Sequence, residues 1–236
     1  MNSKRNRIPS LDGLRAISIA LVILSHFASN FGLEIAYAVG NLGVRIFFII
    51  SGFLITLILV NEVDETSTLN LKKFYFRRTL RIFPAYYFYI CVLLIFTILG
   101  LCKIPLDCFL SPITYTSNYF ASGNWELGHS WSLSVEEQFY LIYPGIFLFY
   151  GISKTKNILL FIVLITPLIR IINFTILQLF VGYNIPPWFV FAFHNNMDAL
   201  AVGCLLALYR SALHQHKIYQ NFLQSKIIGS LFLLVH

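Results

Sequence analysis

GVRIFFIISGFLITLILV, residues 43–60, decides the fold. Its single charge, Arg45, comes near the start, and the rest runs on without alternation of polar and apolar positions. A helix needs about 20 apolar residues to cross a bilayer core. Backbone groups find no water there, so only helices and closed barrels span it. A continuous apolar run fits the helix, whereas a half-wet strand alternates. Working outward, runs of similar character occupy 14–33, 39–60, 82–101, 138–152, 157–177 and 189–209, and another begins at 226 and is cut off at His236. The fourth is short and borrows residues 131–135 from the preceding segment. The expectation is an all-α fold, a multi-pass transmembrane helical bundle with six complete spans plus a truncated seventh, forming one membrane domain over 1–236.

Composition agrees. Of the residues, 58% are hydrophobic and 11% charged, with mean hydropathy +0.74. Soluble domains carry about 25% charged residues, so a water-soluble globule is excluded. The basic Lys4, Arg5 and Arg7 before the first run resemble the start of a signal peptide. Arg15 interrupts that run and no small-x-small site follows, so a retained helix is expected.

The net charge of +7 is topological and does not indicate nucleic acid. With the N-terminus inside, alternating spans place Lys4, Arg5, Arg7, Lys72, Lys73, Arg77, Arg78, Arg81, Lys154, Lys156, Arg210, Lys217 and Lys226 on the cytoplasmic side. Lys103 alone falls outside, while Arg15, Arg45 and Arg170 lie within spans. This is the positive-inside pattern. It predicts a multi-pass protein of the plasma (inner) membrane with a cytoplasmic N-terminus. Cys91 and Cys204 read as packing residues. Cys102 and Cys108 share an outer segment where a disulfide can form if that side is oxidising. No Cys/His spacing resembles a metal site.

Ionisable groups inside a span cost roughly 2.5–3.5 kcal/mol each on insertion scales, and therefore tend to carry function. Arg15 and His26 are 11 positions apart, which is three turns plus about 20° and roughly 16 Å of rise. They share a face, with Asp12 nearby. That spacing suggests a passage with a cation at its inner mouth and a base further out. Snorkelling is the plain alternative for Arg15, and an interhelical hydrogen bond is the plain alternative for His26. An imidazole titrates in the range that general-base work near neutrality requires.

Other motifs admit two readings each. Arg45 either pairs with an acid or binds an anion, and the glycines beside it permit close helix approach. In FYFRRTLRIFP (74–84), Arg77, Arg78 and Arg81 are a positive-inside anchor or a guanidinium cluster for phosphate. GHSWSLSVEEQFYLIYP (128–144) gathers His129, Ser132, Glu136 and Glu137 at the outer mouth, as an acceptor site or as a solvated helix entry. Asn195, Asn196 and Asp198 open the sixth span, where Asp198 orients a base, pairs with an Arg or caps the helix.

Arg15 and His26, GVRIFFIISGF, RRTLRIFP, HSWSLSVEEQFYLIYP and MDALAVG, in this order, resemble the acyltransferase 3 family of membrane O-acyltransferases. The resemblance runs from LDGLRA at 11–16 to about residue 209. It implies transfer of an acyl group, acetyl in many members, from acyl-CoA to a carbohydrate hydroxyl. Acceptors in the family include O-antigen (lipopolysaccharide), exopolysaccharide and peptidoglycan. By this likeness His26 is the catalytic base and Arg15 helps hold acetyl-CoA. Arg77, Arg78 and Arg81 guide the CoA phosphates. Glu136 or Glu137 assists the acceptor, with Arg45, His129, Ser132 and Asp198 in contact with it. The expected partners are a carbohydrate or glycolipid acceptor and the bilayer. The family generally has more membrane helices than this chain, so C-terminal helices are expected to be missing. Two other readings compete: a glycan or small-anion transporter using Arg15, Arg45 and Arg170, and an inactive fragment.

Overall fold

The computed structural model describes residues 9–29, 31–33, 35–120, 124–181 and 187–215. Among them there are helices and turns and no strand. Helices α1 (Pro9–Ser29), α2 (Ile35–Thr66) and α3 (Leu71–Ile98) come first. A 3-10 turn (Leu106–Phe109) then runs into α4 (Leu110–Ile113), and α5 (Trp125–Gly128) precedes the long α6 (Ser130–Val181). The short α7 (Pro187–Phe191), α8 (Phe193–Leu208) and α9 (Arg210–Gln215) follow.

Among the described residues, five helical stretches are long and apolar enough to cross a membrane: Ser10–Ser29, Ile35–Thr66, Leu71–Ile98, Trp125–Leu179 and Phe189–Leu208. The fourth has 55 residues, which at 1.5 Å each would reach roughly 80 Å, more than twice a bilayer core of about 30 Å. It breaks at Gly151, whose φ of 66° lies in the left-handed region and whose ψ is 177°. Without a Cβ, glycine takes this conformation at no steric cost. The stretch therefore counts as two crossings and the described residues as six. The expected seventh, from 226, lies outside the described residues.

Boundaries differ from the sequence reading in instructive ways. The loop expected over 61–81 shrinks to residues 67–70, and FYFRRTLRIFP belongs to α3, with Pro84 inside the helix. Asn70 caps α3, its Oδ1 accepting from the Lys73 amide at 3.0 Å, and Lys, Arg and Leu in the following turns are good helix formers. Proline removes one backbone donor, a loss that membrane helices tolerate where neighbours re-satisfy the freed groups. The turn expected over 151–156 contracts to Gly151. The fourth crossing starts at 130, taking in 131–135.

Packing follows the order α1, α2, α8, α6. The buried core lies between α2, α6 and α8, around Phe48, Ile55, Leu59, Phe139, Tyr143, Leu200 and Cys204. Gly52 on α2 sits against the Leu200 backbone, and Gly203 on α8 against Ile49, so near that a Cβ on either would collide with a carbonyl oxygen. The Cys204 thiol donates to the Gly52 carbonyl at 3.3 Å, and Thr56 shares a 2.9 Å hydrogen bond with the Tyr143 hydroxyl. Helix α1 lies on α2 through Ser18 and Ser25, opposite Gly43 and Gly40.

The segment between α3 and α6 is clipped on by side chains. Tyr86, Tyr87 and Tyr89 of α3 donate to the carbonyls of Pro112, Ile113 and Glu126 at 3.0, 3.0 and 2.7 Å. Gln138 of α6 exchanges hydrogen bonds with Asn118 (3.0 and 2.9 Å) and donates to the Tyr115 carbonyl at 2.8 Å. No disulfide joins Cys102 and Cys108. Both pack instead against the small cluster of Ile90, Leu93, Ile104, Phe109 and Leu127.

Candidate active site between the spans

A cavity of about 660 Å³ opens between α1, α2, α6, α7 and α8. Val22, Ser25 and His26 of α1 and Tyr37, Asn41 and Arg45 of α2 form two walls. Trp131, Arg170, Phe189, Phe191, Asn195 and Asn196 form the others. His26 projects from α1 toward the segment before α6, its ring edge-on to Trp125 at 6.2 Å. His129 lies within electrostatic reach of His26 and its ring tilts against Tyr89 at 5.6 Å. Trp131 stacks on Phe191 at 4.5 Å and meets Phe48 edge-on, so α7 is held as an apolar lip. Asn196 secures that lip from α8, its Nδ2 donating to the carbonyls of Val190 and Ala192 at 2.9 and 3.0 Å.

The cavity's charges are organised by one carboxylate behind the wall. Asp198 binds Arg170 Nη2 through Oδ1 at 2.5 Å, and its Oδ2 lies 3.6 Å from Arg45 Nη1. Arg170 Nε donates to the Asn195 carbonyl at 2.8 Å, and Arg45 Nε to Asn41 Oδ1 at 3.1 Å. Arg45 and Arg170 are thus braced side chains, an arrangement unlike a file of loose cations along a transport path. Of the alternatives open for Asp198, pairing with arginine is the one the structure displays.

A second polar cluster lies among α1, α2, α3 and α6. Glu136 is 4% exposed and has Ser51 at hydrogen-bonding distance, with Arg78, Glu137 and Arg15 in electrostatic reach. The Arg78 guanidinium lies 3.2 Å from the Tyr140 ring centroid, a cation–π contact. One oxygen each of Glu136 and Glu137 and the Nε of Arg15 and Arg78 are buried without a hydrogen-bond partner. Buried polar atoms are paired as a rule in folded proteins, so four unpartnered ones in one cluster single it out as a candidate polar site.

The predicted residues therefore fall into two groups. His26, Arg45 and the carboxylate bracing Arg45 meet at the cavity, with His129 beside His26. Glu136 and Glu137, expected at the outer mouth with His129, are placed instead with Arg15 and Arg78. Because α6 begins at 130, the two carboxylates are already a full turn and more inside the helix. The three arginines of the basic run also separate: Arg78 turns inward, whereas Arg77 and Arg81 are exposed. Ser132 donates to the His129 carbonyl at 3.2 Å and does not line the cavity. The sequence reading gave no part to Asn41, Trp131, Tyr115 or the three α3 tyrosines. The YYFY run at 86–89 was a signal for them, since tyrosine in a membrane helix brings a hydroxyl that seeks a partner.

A helical bundle with guanidinium and carboxylate groups between its crossings, and an imidazole on the wall of a cavity among them, defines a multi-pass membrane protein with a polar site within its helices. The chain belongs to the acyltransferase 3 family: the family model described as an acyltransferase domain matches residues 8–235. It is similar to the O-acetyltransferase OatA of Staphylococcus aureus, with 35% identity over 217 residues, covering 85% of this chain and 34% of the relative. It is also similar to the peptidoglycan O-acetyltransferase OatA of Listeria monocytogenes, with 34% identity over 221 residues, covering 86% and 34%. The chain thus spans about a third of the length of these curated relatives. No solved structure matches it.

Proposed function

We propose that the protein is a membrane O-acetyltransferase that moves an acetyl group from acetyl-CoA to a hydroxyl of a cell-envelope carbohydrate. The observation that carries this reading is His26 on the wall of a cavity also lined by Arg45, Arg170 and three asparagines. The acceptor hydroxyl attacks the thioester carbonyl, and His26 takes its proton. The C–S bond then breaks, and the proton passes to the departing thiolate, leaving an acetyl ester and free CoA. A positioned base of this kind contributes about 10²–10⁴-fold. Charge developing on the carbonyl oxygen requires a donor nearby, and the Arg170 guanidinium in the cavity wall is a group of that type.

The donor enters from the end bearing the α2–α3 turn, which the distribution of basic residues assigns to the cytoplasm. Arg15 and Arg78, with the exposed Arg77 and Arg81, suit the phosphates and carbonyls of CoA. Glu136 and Glu137 sit on that donor route, where they steer the arginines. The acceptor reaches the cavity from the opposite face, and its class follows the names of the relatives, peptidoglycan being the one printed for Listeria. Substitution of His26 by Ala or Gln in the full chain is expected to lower acetyl transfer by about 10²–10⁴-fold while membrane insertion and thermal unfolding stay unchanged. Normal acetylation by an inserted His26→Ala protein would overturn the assignment.

A further inference from the structure

Among the described residues, the cavity wall carries two guanidiniums against a single carboxylate. One carboxylate, Asp198, faces two guanidiniums, and it sits behind them, outside the cavity lining. Beside its apolar residues the lining holds Arg45, Arg170, His26 and amide or hydroxyl groups, and no acidic side chain among the described residues. Arg170 is well occupied, by Asp198 through Nη2 and by the Asn195 carbonyl through Nε. Arg45 is not: Nε reaches Asn41, but Nη1 stands 3.6 Å from Asp198, beyond hydrogen-bond length. A guanidinium has more N–H donors than these contacts use, and the Arg45 side chain is the more exposed of the two, 33% against 29%. An unmatched cation between membrane helices is costly. A ligand anion with paired oxygens matches its fork and offsets that cost.

Resting on the acetyl-transfer reading, we infer that Arg45 selects an anionic acceptor: a sugar bearing a carboxylate or phosphate, which docks on this guanidinium while a hydroxyl faces His26. The aromatic rings of Trp131 and Phe191 offer an apolar face to a sugar ring, and Tyr37 and Asn41 in the same lining add polar groups. The charge fixes which sugar stays. Arg45 acts here on substrate choice and has no part in the proton transfer.

The test compares sugars that differ in charge and keep their hydroxyls. N-acetylmuramic acid is set against its methyl ester, and N-acetylglucosamine 1-phosphate against N-acetylglucosamine. Acetyl transfer from acetyl-CoA is measured with the full chain in nanodiscs. The wild type is expected to favour one or both anions by about tenfold or more in kcat/KM, and the two pairs separate carboxylate from phosphate recognition. In Arg45→Gln the anion-to-neutral ratio falls toward parity, and Arg45→Lys restores part of it. Equal use of charged and neutral partners by the wild type, or an undiminished preference in Arg45→Gln, overturns the inference. If no sugar is acetylated, the acetyl-transfer reading is what has failed. Quenching of tryptophan fluorescence, with Trp131 in the cavity wall, then decides the present inference by binding alone. Tighter binding of an anion that is lost in Arg45→Gln supports it, and equal binding overturns it.

Discussion

At the residue scale, the chemistry is set by a few polar side chains and by what braces them. Asp198 holds Arg170 directly and Arg45 at slightly longer range, with its own side chain 13% exposed. Asp198→Asn keeps the shape and removes the charge, leaving two half-buried guanidiniums to repel each other. Hydrogen bonds to charged groups contribute about 1.5–3 kcal/mol, and partial exposure trims that figure. A loss of about 1–2 kcal/mol is expected, read as a lower unfolding midpoint in micelles. An unchanged midpoint would show that the carboxylate braces nothing. His26, Arg15 and Arg45 were legible in the sequence because an ionisable residue in an apolar run stands out. Their groupings were not. The Glu136–Glu137 pair next to serines reads as a wet helix entry, and only the real start of α6 at 130 shows it buried beside Arg78. Nothing local announces that Asp198 shares itself between residues far away in the chain.

Elements are held by two devices: small residues that let helices touch, and side-chain clips that tie down the segment between α3 and α6. Gly203→Val would drive a branched side chain into the Ile49 carbonyl and force α2 and α8 apart. Overpacking typically costs about 1–3 kcal/mol, and here the obstacle is backbone, so the upper end is expected. Loss of folded protein on size-exclusion chromatography checks it, and wild-type behaviour would contradict the close α2–α8 contact. Gln138→Leu tests the clip. It would strand Asn118, which is fully buried, at about 1–3 kcal/mol for an unsatisfied buried polar group. Limited proteolysis within 99–129 should quicken, whereas an unchanged rate would argue against the tether. Helix existence was readable from hydropathy alone. Helix ends were less so, because the basic run at 77–81 is polar yet helical, and a hydropathy boundary marks where polarity changes while the backbone continues.

The whole molecule joins two polar sites through one bundle. Arg15 and Arg78 meet the acidic pair on one side of α1, and His26 stands further along the same helix, roughly 16 Å from Arg15. The six crossings put the 67–70 turn and the Gly151 break at one end, and residues 31–33, the 99–120 segment and α7 at the other. On this arrangement rests the proposal that donor and acceptor arrive from opposite faces. Sealed proteoliposomes with a defined orientation test it most directly. Labelled acetyl-CoA is supplied only to the face bearing the 67–70 turn, with the sugar acceptor only on the other. The account predicts labelled acetyl ester on the acceptor, and none when the two substrates exchange sides. Transfer that requires both substrates on the same face would contradict it.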